Sequence, residues 1–223
     1  MSLKVRHFGL CDYLDTYRGM ADYTSARQPD TADEIWFLQH APVYTLGMAG
    51  KTEHLLDPGR IPVVRSDRGG QVSYHGPGQL LAYLLLDIQR RHLGIKVFVD
   101  RIEQAIIDTL GELGLQGERK ARAPGVYIDG RKIAALGIRI RNGCSYHGLA
   151  LNVDLDLKPY QGINPCGYPG LAVTRIRDYG ISLGVGEVAQ VLQPHLLRNL
   201  GYSLDDIQGT FAGHPSIPLQ AIA

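Results

Sequence analysis

The chain has 223 residues, 44% of them hydrophobic, enough for one sizeable core, and the pattern predicts a single domain over residues 1–209 with a tail at 210–223. Lys and Arg number 23 against 22 acidic residues, a formal net charge of +1, so no global charge points to nucleic acid or an anionic membrane. No stretch reaches the ~20 apolar residues of a membrane span, the N-terminus MSLKVRHFGLCDY lacks an apolar leader core, and the three cysteines (Cys11, Cys144, Cys166) are widely spaced without CxxC. This reads as a soluble cytoplasmic protein with free thiols, neither a disulfide framework nor a structural zinc site.

In chain order, Leu10 to Arg27 has a weak helical pattern. Glu34 to Gln39 reads as a buried strand with Val43 to Leu46 as its neighbour, and Ile61 to Val64 as a further short strand. Val72 to Tyr74 and Leu80 to Ile88 are strands separated by a Gly/Pro loop. Phe98, Ile102, Ala105, Ile106, Thr109, Leu110 and Leu113 recur at helical spacing up to Gly114, which predicts a sheet-packed helix over Val97 to Leu113. Val126 to Ile128, Lys132 to Arg141 and Cys144 to Leu155 are divided by Asp129-Gly130 and Asn142-Gly143, the dipeptides of tight hairpins, and so form an antiparallel meander. Thr174 to Tyr179 reads as a helical turn, Gly186 to Leu200 as a helix that Pro194 kinks or shortens, and Thr210 to Ala223 as a frayed tail. Hairpins mixed with helices indicate an α+β fold.

The stretch Gly162 to Gly170, GINPCGYPG, surrounds Cys166 with turn formers. A thiol there is open to a substrate, and thioester chemistry needs the thiolate, hence a nearby positive charge or base, because a free cysteine titrates near ~8.5. The competing reading is a buried structural thiol.

Partners for the thiol lie in two places. Lys132, in the apolar setting RKIAALGI, either stabilises the thiolate as an ammonium or takes its proton as a neutral amine, and desolvation is expected to lower its pKa. A solvated surface lysine is the plainer alternative. Arg68 to Gln79, RGGQVSYHGPGQ, allows backbone N–H groups close to an oxyanion, with Tyr74 and His75 as added polar donors, and His75 is the other candidate base. A purely structural glycine turn explains it equally well. Tyr146-His147-Gly148 repeats the Tyr-His-Gly order and reads as a strand with a hydrogen-bonded histidine. Gly184-Val185-Gly186 lacks the glycines and lysine of a nucleotide loop, and the eight histidines show no HExxH.

Taken together, RGGQVSYHGPGQLLAYLLLDI, APGVYIDGRKIAALGIRI, HGLALNVDLDL and GINPCG, in this order, resemble the lipoyl(octanoyl) transferases. The resemblance covers nearly the whole chain to the final helix. It implies a biotin/lipoate protein ligase-like fold, with a mixed, mostly antiparallel sheet and flanking helices, carrying an octanoyltransferase catalytic domain. It also implies octanoyl transfer from acyl carrier protein to one lysine of the lipoyl domains of 2-oxoacid dehydrogenase E2 subunits and of the glycine cleavage H protein. By residue, Cys166 matches the nucleophile and Lys132 the residue that lowers its pKa. Arg68, Gly69, Gly70, Gln71, Val72, Ser73, Tyr74 and His75, with Ala135, Leu136, Gly137, Gly148, Leu149 and Ala150, match acyl-substrate-binding segments. Ser73 stands where the family often has threonine, and Leu84 where proline is frequent.

The expected reaction is ping-pong acyl transfer through a Cys166 thioester by a monomer, with no cofactor: the thioester is already activated, so neither ATP nor a metal is needed. Six methylenes at ~0.8 kcal/mol each give roughly 5 kcal/mol as an upper limit for burying the acyl chain. The alternatives are an ATP-dependent lipoate or biotin ligase, which has no need of a loop cysteine, and a non-catalytic scaffold that binds lipoyl domains.

Overall fold

The computed structural model describes residues 2–213. Strand β1 (Leu3–Cys11) leads into helix α1 (Tyr13–Ser25), whose N-cap Asp12 accepts from the Leu14 and Asp15 amides. Then come β2 (Asp33–His40), β3 (Val43–Leu46), β4 (Val63–Arg65), β5 (Val72–His75) and β6 (Gln79–Leu85). Helix α2 (Ile95–Glu112) is followed by β7 (Glu118–Arg119), β8 (Val126–Ile128), β9 (Arg131–Arg141) and β10 (Cys144–Asn152). A loop of short 3-10 turns precedes α3 (Val185–Leu200) and β11 (Ile207–Gly213).

The main sheet runs β11-β1-β2-β6-β10-β9-β8-β7, and a small one runs β4-β3-β5. β1 is parallel to both its neighbours and the remaining pairs of the main sheet are antiparallel. The α1 crossover is what allows β1 and β2 to run parallel. Helices α2 and α3 cover one face through Phe98, Ile102, Ile106, Leu192 and Leu196, while α1 covers the other, its Met20 buried among Trp36, Leu81 and Tyr83. Asp129-Gly130 and Asn142-Gly143 both have positive φ at each residue and close the expected β8-β9-β10 meander. Among the described residues no helix is long and apolar enough to cross a membrane.

Four expectations change. The helix expected from Leu10 starts at Tyr13: Leu10 and Cys11 are the end of β1, a strand the sequence reading did not single out, in which Arg6 is buried against Glu34 at 2.6 and 2.7 Å. Val43–Leu46 does not neighbour β2 but pairs with β4 and β5 in the small sheet. Pro194 does not shorten α3, which runs from Val185 to Leu200 with Pro194 and Gln190, the residue whose carbonyl loses its donor, both on the exposed face. Thr210 to Gly213, expected to belong to a frayed tail, continue β11 beside Val5 to Phe8. Residues 214–223 lie outside the described chain.

Candidate active site

Cys166 sits half-buried in a 3-10 turn, Pro165–Gly167, with φ +57° and ψ +15°, a left-handed backbone uncommon for a non-glycine residue. Gly167 N–H donates to the Asn164 carbonyl at 2.9 Å, and Asn164 N–H to the His54 carbonyl at 2.9 Å, so the turn is fixed on both sides. Lys132 stands near the start of β9, its Nζ 2.9 Å from Cys166 Sγ. Its main chain is clasped by the segment that follows the cysteine loop: Lys132 N–H donates to Ala172 O and Thr174 N–H to Lys132 O, each at 2.9 Å. Gly125 makes room for the lysine stem. A Cβ there would lie 2.5 Å from Ala134 O and 2.7 Å from Lys132 Cε, at a φ of +129°.

Lys132 is 5% exposed, and its Nζ lies 5.3 Å from the centre of the Tyr127 ring. Burial alone pushes its pKa down, but the Cys166 sulfur and Tyr127 outweigh burial and raise it. The expectation of a lowered lysine pKa is therefore reversed, because the interactions with the Cys166 sulfur and Tyr127 together exceed the effect of burial. The two other thiols are different: Cys11 and Cys144 are 2% and 8% exposed, and burial raises both, Cys11 to about 11.

A cavity of about 340 Å³ opens on Cys166 and Lys132. Of the segments singled out from sequence, Arg68 to Ser73, His75, Ala135 to Gly137 and Gly148 to Ala150 line it. Tyr74 does not. In β5 it faces away, into the cluster of Tyr44, Leu155 and Ile163, and so is no polar donor to a substrate. His75 lines the cavity, but its Nδ1 pairs with Gln79 Oε1 at 2.7 Å and its Nε2 with Thr45 Oγ1 at 3.2 Å. Burial, with His40 and Arg68 nearby, lowers its pKa to about 3, so it stays neutral and is committed elsewhere. A Cys/His pair is not what this geometry offers. The Arg68 guanidinium is consumed by β3 and its own loop, donating to Thr45 Oγ1 and to the carbonyls of Thr45, Gly69 and Gln71 at 2.6 to 2.9 Å. Gly69 N–H is spent on the Ile138 carbonyl at 3.2 Å, which removes one of the loop amides expected to serve an oxyanion.

The sequence reading missed Tyr13, Tyr83, Ile95, Val99 and Tyr168 on the cavity wall, and that His147 is part of it. They come from α1, β6, α2, β10 and the cysteine loop, and no local motif unites them.

The model of the lipoyl protein ligase A/B catalytic domain matches residues 19–197. The chain belongs to this family. It is 60% identical over 200 residues to an octanoyltransferase of Azoarcus sp. (strain BH72), covering 89% of this chain and 88% of that one. It is also 54% identical over 199 residues to the octanoyltransferase of Chromobacterium violaceum, covering 89% and 96%. Its fold is that of the lipoate and biotin protein ligases. A lipoate-protein ligase A bound with ATP superposes with a TM-score of 0.78 at 16% identity over 97% of this chain and 91% of that one. The Aquifex aeolicus biotin protein ligase superposes at 0.54 and 10% identity, over 90% and 69%.

Proposed function

We propose that this chain transfers an octanoyl group from acyl carrier protein to a lysine of lipoyl domains, with Cys166 as the acyl-thioester nucleophile and Lys132 as its proton partner. It is an acyltransferase of protein lipoylation, as its octanoyltransferase relatives at 54–60% identity are by name. The observation that carries the residue roles is the 2.9 Å contact between Lys132 Nζ and Cys166 Sγ on the wall of the cavity.

In the first half-reaction the Cys166 sulfur attacks the thioester carbonyl and the carrier's C–S bond breaks, with the carrier thiol leaving on a proton from Lys132. Acylation removes the negative partner that keeps Lys132 charged. What remains dominant is burial, which favours the neutral amine. The same lysine that stabilises the free nucleophile is thereby turned into the base of the second half-reaction. It takes a proton from the acceptor lysine as that amine attacks the acyl carbon and the Cys166 C–S bond breaks. The apolar cavity walls supplied by Leu136, Leu149 and Ile138 accommodate the acyl chain. In this reading the chain works in the cytoplasm as a monomer, on the lipoyl domains of 2-oxoacid dehydrogenase E2 subunits and the glycine cleavage H protein.

The test is intact mass after incubation with octanoyl-carrier protein in chelator-treated, nucleotide-free buffer, followed by addition of an apo lipoyl domain. A covalent octanoyl adduct that then moves to the domain is expected. An absolute requirement for Mg²⁺ and ATP would make the chain a ligase.

A further inference from the structure

When a sulfur adds to a thioester the carbonyl oxygen takes on negative charge, and a hydrogen-bond donor aimed at that oxygen carries a large share of the catalysis. Several donors near the sulfur are spent. The Arg68 guanidinium and the Gly69 amide bond within the protein, and Lys132 Nζ is engaged with Cys166 Sγ at 2.9 Å.

A second, smaller space lies against the same sulfur. It measures about 10 Å³, on the scale of one water-sized atom, and its wall includes Ser73, Lys132, Asn152, Tyr160 and Cys166. Val72, Ser73, Lys132, Ala135 and Cys166 line this recess and the acyl cavity alike, so the two spaces adjoin at the nucleophile. Its polar wall is fixed by its own hydrogen bonds. Asn152 Nδ2 donates to the Thr174 carbonyl and Asn152 Oδ1 accepts from Gln79 Nε2, each at 2.9 Å, while Gln79 Nε2 also reaches the Tyr160 hydroxyl at 3.3 Å. Thr174 N–H in turn donates to the Lys132 carbonyl at 2.9 Å, which ties the recess to the catalytic pair.

Ser73 is placed differently. In β5 it alternates with Tyr74 and shares the cavity-facing side of the strand with His75. Its side chain is half-buried, and its hydroxyl has no hydrogen-bond partner among the described residues. A serine hydroxyl always carries one proton to donate, and this one stands where the large apolar cavity meets the small polar recess.

We propose that the recess is the oxyanion site of the transfer and that Ser73 is a further catalytic residue, its hydroxyl donating to the carbonyl oxygen while the acyl tail lies along the large cavity. In each half-reaction a bond forms to the acyl carbon, from Cys166 Sγ in the first and from the acceptor amine in the second. The carbonyl π pair moves onto oxygen, where Ser73 donates to it, and returns as the C–S bond to the carrier or to Cys166 breaks. Lys132 moves the protons, and Ser73 keeps its own. The inference rests on the octanoyl-transfer reading.

Alkylation by iodoacetamide uses the same sulfur but forms no oxyanion, and so separates this role from activation of the thiol. In Ser73→Ala, single-turnover formation of the acyl-enzyme from octanoyl-carrier protein should slow by roughly a hundredfold or more, while alkylation of Cys166 keeps its wild-type rate and pH profile. Ser73→Thr retains the hydroxyl and should recover most of the acylation rate. An alanine variant that acylates as fast as the wild type, or a threonine variant as slow as the alanine one, overturns the proposal. So does alkylation that slows in step with acylation, because the hydroxyl then acts on the thiol and not on the carbonyl. If the wild type forms no acyl-enzyme, the reading of function fails instead and takes this inference with it.

Discussion

Lys132→Met is the substitution that isolates the charge at the site. Methionine keeps an unbranched stem in the space beside Gly125 and removes the ammonium 2.9 Å from Cys166 Sγ. A hydrogen bond to a charged group contributes about 1.5–3 kcal/mol, and each 1.36 kcal/mol is a factor of ten in rate. Alkylation of Cys166 by iodoacetamide at neutral pH should therefore slow by about ten- to a hundredfold. The 5.3 Å contact with the Tyr127 ring is lost too, at about 0.5–2 kcal/mol of stability, so the unfolding midpoint shifts modestly while reactivity falls steeply. Intact mass reads the reaction cleanly, because Cys11 and Cys144 are buried with raised pKa values. Lys132→Arg should retain part of the reactivity yet stall after acylation, since a guanidinium does not accept the acceptor lysine's proton. If Lys132→Met alkylates as fast as the wild type while His75→Ala slows, the pairing of Lys132 with Cys166 is wrong.

Cys166→Ala should fold normally and form no acyl-enzyme, whereas turnover retained in that variant on octanoyl-carrier protein would exclude the thioester route. Gly125→Ala should lose most activity and about 1–3 kcal/mol of stability, because its Cβ meets Ala134 O and Lys132 Cε at a φ of +129°. Urea midpoints and adduct yield measure the two losses, and a silent substitution would refute the close-packing argument. His75 and His40 have pKa values lowered to about 3 and about 4, chiefly by burial. The unfolded chain then binds more protons below about pH 6.5, so stability is full above that pH and declines as pH falls toward 4, by up to about 1.4 kcal/mol per pH unit for each histidine. A urea midpoint that stays level from pH 7 to 4.5 would contradict this.

The parts of the fold set by local chemistry were legible in the sequence. The Asp-Gly and Asn-Gly turns defined the meander, and the periodic apolar face of α2 predicted a helix that begins two residues before Val97. What depends on distant partners was not legible. β1 looks polar until Glu34 is brought against Arg6, and no feature of Val43–Leu46 says which sheet it joins. In the active site, loop chemistry singled out Cys166, but choosing Lys132 over His75 drew on resemblance. The physical reason emerges only in three dimensions, where Gln79 and Thr45 engage both ring nitrogens of His75. The sign of the Lys132 shift was missed because the sequence shows its apolar neighbours and suggests the thiol, but not that the contacts with the Cys166 sulfur and Tyr127 outweigh burial.

The pairing of β11 with β1 has a consequence for the order of assembly. Leu3 lies opposite Ile207 and Phe8 opposite Gly213, a closure spanning about two hundred residues of chain. Such long-range strand pairing is slow to form. On the ribosome the outer edge of β1 must wait, unpaired, until about two hundred further residues have emerged. That open edge is a template for association with other chains, and the nascent protein is most exposed to misassembly there until its last described strand docks.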